Sequence, residues 1–308
     1  MTIAGVLFVG VIVYGGILRP PQDFPEGEII TIPSDTSLAE VVDGLESAGV
    51  VRSAWWLRVA VTLLDGETGV RAGDYYFRAP QSLVVVARRL VDGSFGLEPI
   101  RVRVVEGMTA TQIATHVAKQ LPRVDREQLL ELMLAEEGYL FPDTYFFLPS
   151  TAEEAVARAM RNNFDLQVAR LNEEITAFGR PLADVVTMAS IIEKEAHNYR
   201  NKRIIAGILW KRIERGMLLQ VDVSFGYLLG KGTSQITRAD LAIDSPYNTY
   251  KYPGLPPGPI SNPSLASLKA AASPIETPYF FFLDGRDGIT YFSATYEEHL
   301  EYKRKYLD

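Results

Sequence analysis

Pro181-Leu182-Ala183-Asp184-Val185-Val186-Thr187-Met188-Ala189-Ser190-Ile191-Ile192-Glu193-Lys194-Glu195 decides how the rest of the chain is read. Proline suits a first helical turn, and the apolar spacing behind it predicts a helix running to about Ala196. At about 100° per residue, Leu182, Val186 and Ala189 fall beside Glu193, so that this carboxyl leaves an apolar stripe. Glu195 projects elsewhere, near Asp184 and Ile191, and Lys194 points to the polar side. A carboxyl among aliphatics resists ionisation and keeps a proton for delivery to a leaving oxygen. Two readings of Glu193 stand together: a general acid, or a structural partner of Arg212 or of His197 one turn on.

Downstream, Ile204 to Arg215 reads as a second helix ending at Gly216. Leu219-Gln220-Val221-Asp222-Val223-Ser224 alternates apolar and polar residues, which predicts an extended segment presenting Gln220, Asp222 and Ser224 to one side. Asp244 to Tyr250, with Tyr247 and Asn248, leads into Gly254-Leu255-Pro256-Pro257-Gly258-Pro259-Ile260-Ser261-Asn262-Pro263. So much Pro and Gly makes a stiff loop, expected to hold amides such as Asn262 as a sugar-binding wall. Upstream, Glu136 to Tyr145 sets Tyr139, Phe141 and Tyr145 among carboxylates. These rings either face a sugar or plug a seam between domains.

A faint repeat precedes this. Ile29–Ile32 reads as a strand, with Ser34-Asp35-Thr36 capping a helix that carries Leu38, Val41, Val42 and Leu45. The same grammar returns with a strand over Ile100–Val105, the turn Glu106-Gly107 and a helix opened by Thr109. Gly73 to Phe77 reads as a strand and Ser82 to Leu90 as a helix. The Val104–Thr109 stretch resembles the LysM carbohydrate-binding module, although so small a unit is common in domains that bind nothing.

The 308 residues, 47% hydrophobic and 22% charged, are those of a globular protein. A formal charge of −7 speaks against a nucleic-acid partner gripped by bulk positive charge. The absence of Cys removes disulfides, thiolate nucleophiles and zinc–thiolate sites. The three His, at 116, 197 and 299, lack the spacing of a helical metal pair, so neither metal nor cofactor is expected. At the start, the uncharged run Ile3 to Leu18 precedes Arg19-Pro20-Pro21. It reads as a retained single-pass anchor, although a helix of that length falls short of a hydrocarbon layer of about 30 Å.

Ala189 to Glu195, Leu219 to Asp222, Tyr247 to Tyr250, Gly254 to Ile260 and Glu137 to Tyr145, in their positions along the chain, resemble the YceG-like family of endolytic murein transglycosylases. The resemblance implies an N-terminal anchor, a LysM-like subdomain and a catalytic domain on the outer side of the cytoplasmic membrane. It implies that Glu193 is the catalytic acid and that Gln220, Asp222, Tyr247 and Asn248 orient the sugar or the acid. Asp222 equally suits a second carboxylate that stabilises positive charge at C1. The substrate would be peptidoglycan glycan strands, cut between N-acetylmuramic acid and N-acetylglucosamine to leave 1,6-anhydro ends. Peptidoglycan synthases such as bifunctional penicillin-binding proteins would be partners. The alternatives are a non-catalytic wall-binding scaffold and a hydrolase using Glu193 with Asp222.

The fold expectation is α+β: LysM-like βα subdomains followed by a mixed α/β catalytic lobe, with an N-terminal transmembrane helix. The divisions fall at 1–27 (anchor and linker), 28–97 (LysM-like subdomain), 98–150 (a second βα unit and connector) and 151–308 (catalytic domain).

Overall fold

The structure is a computed structural model that describes residues 18–65, 70–121, 123–231 and 235–307. The anchor expected over Ile3–Leu18 lies outside them except for Leu18. Two compact units make up the chain, one through Pro99 and one from Ile100.

The first unit runs β1 (Ile29–Ile32), α1 (Leu38–Ser47), α2 (Ala54–Asp65), β2 (Gly73–Tyr76) and α3 (Leu83–Asp92). β1 and β2 pair antiparallel, Ile29 opposite Tyr76 and Ile32 opposite Gly73. A two-stranded sheet of four-residue strands is marginal in water, so the helices must supply the core. Val41, Val42 and Leu45 of α1, Leu57 and Val61 of α2, and Leu83, Val86 and Leu90 of α3 enclose Tyr75 and Phe77. The cap of α1 is Ser37, one residue beyond the expected triplet, because Glu40 completes a capping box with it.

The second unit opens on the same plan: β3 (Ile100–Arg103), α4 (Ala110–Ala118), α5 (Arg126–Leu134) and β4 (Thr144–Phe147), with Ile100 opposite Phe147. The faint repeat in the sequence is therefore strand, two helices and an antiparallel return strand, made twice. Thr109 caps α4 as expected and forms a box with Gln112. The core of this part, including Ile113, Val117, Leu129 and Leu140, continues into Val156 and Met160 of α6 (Glu153–Ala169). Residues 100–308 thus form one compact unit, and the division expected at 150/151 falls inside it.

Beyond α6 come α7 (Asn172–Phe178), α8 (Leu182–Glu195), α9 (Tyr199–Glu214), α10 (Val223–Leu229), a 3₁₀ turn at Asp240–Ala242 and α11 (Leu265–Ala272). A hairpin of β5 (Phe281–Asp284) and β6 (Thr290–Ser293) and the closing helix α12 (Tyr296–Tyr306) follow. Every residue of α8 from Val185 to Ile192 is buried. The helix is consequently an interior rod rather than the one-sided helix its periodicity suggests. Among the described residues no single helix is long and apolar enough to cross a membrane. α7 and α8 would suffice together by length and composition but bend by 102°, and α8 lies within the core.

The extended segment expected over Leu219–Ser224 does not form. Gln220 adopts φ +50°, Leu219 and Val221 turn inward, and α10 begins at Val223. Backbone groups there pair with Thr249, whose hydroxyl accepts from the Val221 N–H and whose carbonyl accepts from the Gln220 N–H.

The irregular chain at Ser273–Thr277 lies against α9: Ile275 N–H donates to the Arg203 carbonyl, and Lys211 Nζ to that of Thr277. Gly207 leaves room for this approach, since a Cβ there would collide with the Ile275 carbonyl. Gly→Ala inside a helix ordinarily stabilises by about 0.5–1 kcal/mol. Gly207→Ala should instead lower the melting temperature, measured by circular dichroism; an unchanged or raised value would show that the chain relaxes without cost.

Candidate active site

α8 ends in two carboxyls that leave the helix in different directions and meet different surroundings. Glu193 points to the junction of α9 and the start of α11. Its Oε1 accepts from Lys202 Nζ at 2.9 Å. Its Oε2 accepts from the Ser264 N–H at 2.8 Å, Ser264 Oγ at 2.5 Å and Ser267 Oγ at 2.7 Å. Ser264 is the N-cap of α11, so the carboxylate also sits at the positive end of that helix. Lys202 Nζ donates to Ser267 Oγ as well, at 2.8 Å. The side chains of Glu193 and Lys202 are only 10% and 7% exposed. Gly107 closes the other side, its Cβ position lying 3.5 Å from Glu193 Cγ.

Burial is the largest influence on the Glu193 carboxyl and raises its pKa, yet the bonds from Ser264, Lys202 and Ser267 together outweigh it and hold the group below its ordinary value. This corrects the expectation of a proton kept by aliphatic neighbours. The apolar stripe is present, but the side chain reaches past it to a ring of donors. The partner is Lys202, not Arg212 or His197; Arg212 is spent on the carbonyls of Leu219 and Phe280.

Glu195 has the character expected of Glu193. It is half-buried, and its pKa is pushed up to about 8, chiefly by desolvation and then by the negative charges of Asp222 and Asp284; Arg212 and the Val223 N–H oppose the rise. Asp222 Oδ1 accepts from Tyr250 Oη at 2.6 Å. The two carboxyls, Tyr250 and Arg212 form one cluster at the start of α10. Val223, whose N–H donates to Glu195, and Lys194, the chain neighbour of Glu195, also line a cleft of about 320 Å³ with Thr109, Gln112, Gly226 and Tyr227, among others; neither carboxyl is itself in the lining.

A third carboxyl lies deeper. Glu137 is 8% exposed and accepts from the Ala110 N–H at the start of α4 and from Asn262 Nδ2. Burial dominates there and moves its pKa up to about 7. Its charge is felt by Tyr227 and Tyr247, whose rings lie 5.3 Å apart.

Of the residues expected to bind substrate, Asp222 and Tyr247 are half-buried beside this region and Gln220 is exposed with a strained backbone. Two others are corrected. Asn248 is fully buried, donating to the Leu241 and Ile243 carbonyls and accepting from the Tyr250 N–H. Asn262 is fully buried as well: its amide donates to Met108 and Glu137 and accepts from the Leu140 N–H. Tyr139 is half-buried and packs on Phe164, with the Arg161 guanidinium over its ring. A stiff Pro/Gly loop has to satisfy its own buried backbone groups, and these amides are consumed in doing so. Lys202, Ser267 and Tyr227 escaped the sequence reading because nothing local marks them; Arg212 entered it only as a partner of Glu193, and Tyr250 lay within the Tyr247–Tyr250 motif without a role. Among the described residues, no group of three His, Asp or Glu converges as metal ligands would.

Fold and site together define a mixed α/β protein of small two-stranded sheets, with a cluster of carboxyls and a neighbouring polar cleft at the end of a buried helix. The chain belongs to the YceG-like family, whose model matches residues 30–305. It is 32% identical over 327 residues to the endolytic murein transglycosylase of Bacillus subtilis, covering 97% of this chain and 90% of that protein. With the endolytic murein transglycosylase of Streptococcus pneumoniae the identity is 27% over 312 residues, covering 88% of this chain and 56% of that one. The 2.6 Å crystal structure of a YceG-like protein from Listeria monocytogenes aligns with a TM-score of 0.60 at 30% identity, covering 90% of this chain and 99% of that one.

The two carboxyls affect stability in opposite ways. The lowered pKa of Glu193 stabilises the fold above its ordinary value of 4.5, and that contribution disappears as pH falls below it. Glu195 stays protonated up to about 8, whereas the unfolded chain ionises near 4.5, so its burial costs stability increasingly across that interval. Glu195→Gln should therefore raise the denaturation midpoint at pH 8 and leave it unchanged at pH 4. Lys202→Met, which strands a buried carboxylate, should cost about 3–5 kcal/mol at pH 7. Urea titrations at pH 4, 7 and 8 check both expectations.

Proposed function

We propose that this chain is an endolytic lytic transglycosylase that cuts the N-acetylmuramic acid–β-1,4–N-acetylglucosamine bond within nascent peptidoglycan strands, leaving 1,6-anhydro ends and ending strand growth. Family membership and the names of the relatives from Bacillus subtilis and Streptococcus pneumoniae support the transglycosylase reading. The observation that carries the chemistry is a half-buried carboxyl, Glu195, that keeps its proton at neutral pH beside a polar cleft. The general acid is accordingly assigned to Glu195 rather than to Glu193, which is ionised and fully bonded.

Glu195 delivers its proton to the bridging oxygen as the C1–O bond breaks. Asp222, aligned by Tyr250, faces the positive charge that develops at C1. The Glu195 carboxylate then takes the proton of the muramic C6 hydroxyl, whose oxygen bonds to C1. Proton and carboxyl are restored and no water is consumed. The nucleophile belongs to the substrate, which gives it the advantage of an intramolecular reaction. Glu193 and Lys202 hold α8, α9 and α11 in register so that Glu195 stays at the cleft. The segment 1–27 would anchor the chain in the cytoplasmic membrane with both units outside, the LysM-like strand–helix units would engage glycan, and peptidoglycan synthases would work alongside. A hydrolase is the second reading, favoured by the neighbouring carboxylate of Asp222, paired here with Glu195.

Mass spectrometry of products from uncrosslinked glycan separates the two, since hydrolysis adds one water and the anhydro route adds none. Glu195→Gln should reduce anhydro-product formation by about 10²–10⁴-fold, with the fold retained. Glu193→Gln should lower stability while the folded fraction still turns over. The opposite pattern, an active Glu195→Gln with an inactive but folded Glu193→Gln, would return the acid to Glu193. The rate for the wild-type chain should fall as pH rises through about 8, when Glu195 loses its proton.

A further inference from the structure

The first unit exposes an apolar surface that its own core does not use. The inner side of α2 buries Ala54, Leu57 and Val61. On the outer side Trp55 is 61% exposed, Trp56 39% and Leu63 82%. The two indoles meet edge to face with centroids 4.5 Å apart. At about 100° per residue, Val59 and Leu63 continue the stripe that Trp55 and Trp56 begin. A helix apolar on both sides is out of place on a surface bathed only by water.

The path of the chain says what covers it. Leu18 packs against the core of this unit. The Pro20 carbonyl accepts from Arg52 Nε and Nη2, both at 3.2 Å, two residues ahead of α2. Leu18 and Pro20 thus fix the chain at the foot of α2, where the uncharged run of the sequence ends. Arg19, Arg52 and Arg58, all exposed, flank that point.

We propose that the Trp55–Trp56–Leu63 face of α2 lies in the headgroup boundary of the bilayer that the N-terminal run enters. The inference rests on the anchored reading given above. Indole rings favour that boundary because it offers apolar surface to the ring and water to the N–H. Guanidinium groups beside them meet anionic headgroups, each worth about 1 kcal/mol. Tethering by the preceding run holds the face at high local concentration over the lipid, so that a weak surface affinity is enough to dock it.

Tryptophan emission reads this face directly, because the remaining indole, Trp210, is 3% exposed and bonded to the Ala271 carbonyl. The full chain is placed in nanodiscs of phosphatidylglycerol with either plain or brominated phosphatidylcholine, with iodide as the quencher from water. A Trp55→Phe/Trp56→Phe variant supplies the Trp210 signal for subtraction. Brominated lipid should remove most of the Trp55/Trp56 emission, and iodide little of it. Quenching by iodide alone overturns the proposal. Protection from both quenchers overturns it too, since a second copy, another part of the chain or a protein partner would then cover the face. Failure of the chain to co-elute with the nanodiscs refutes the anchored reading itself, whereas co-elution with iodide-only quenching keeps the anchor and rejects the docked face.

Discussion

The carboxylate of Glu193 and the ammonium of Lys202 are both taken out of water where α8, α9 and the first turn of α11 converge. A buried ion pair is tolerated only when its remaining hydrogen-bonding capacity is met, and here Ser264 and Ser267 meet it. The arrangement locks the last turn of α8 against two other helices. Two residues further along that turn, Glu195 emerges on another side, towards Asp222 and α10. The same helix end thus gives one carboxyl a full set of donors and the other an electronegative, partly desolvated corner. Burial acts on both; the difference in protonation comes from what each finds within hydrogen-bonding reach.

The loops around the cleft are built on backbone satisfaction. Asn262 ties the turn after β3 and the Glu137–Leu140 segment to the Pro/Gly loop, and Asn248 closes the turn that presents Tyr250 to Asp222. These amides act at one remove from any sugar. Gln220, held in the left-handed region between two inward-facing residues, redirects the chain so that Asp222 precedes a helix instead of lying in a strand. Backbone strain of this kind persists where surrounding contacts over-determine it, and it sits here beside the two carboxyls assigned to catalysis.

Much of the fold was legible in local sequence because it depends on interactions a few residues apart. The strands at Ile29 and Ile100, the Thr109 cap, the buried positions of α1 and the helix from Leu182 follow from periodicity and capping. The α8 carboxyls show where such reading stops. Helical projection locates Glu193 on an apolar stripe, but pKa depends on the ends of side chains, and the donors around Glu193 come from Lys202, Ser264 and Ser267.

By itself the sequence determined the mixing of helices with small strands, the repeated strand–helix plan and the Glu193-Lys194-Glu195 helix end. Those features are set by propensity, spacing and turn chemistry along the chain. Only the tertiary structure decided which glutamate keeps a proton, which asparagines are scaffolding and which lysine is spent in a clamp. Electrostatic character is a property of the space around a group, and that space is filled by segments as far away in the chain as Asn262 is from Glu137, 125 residues.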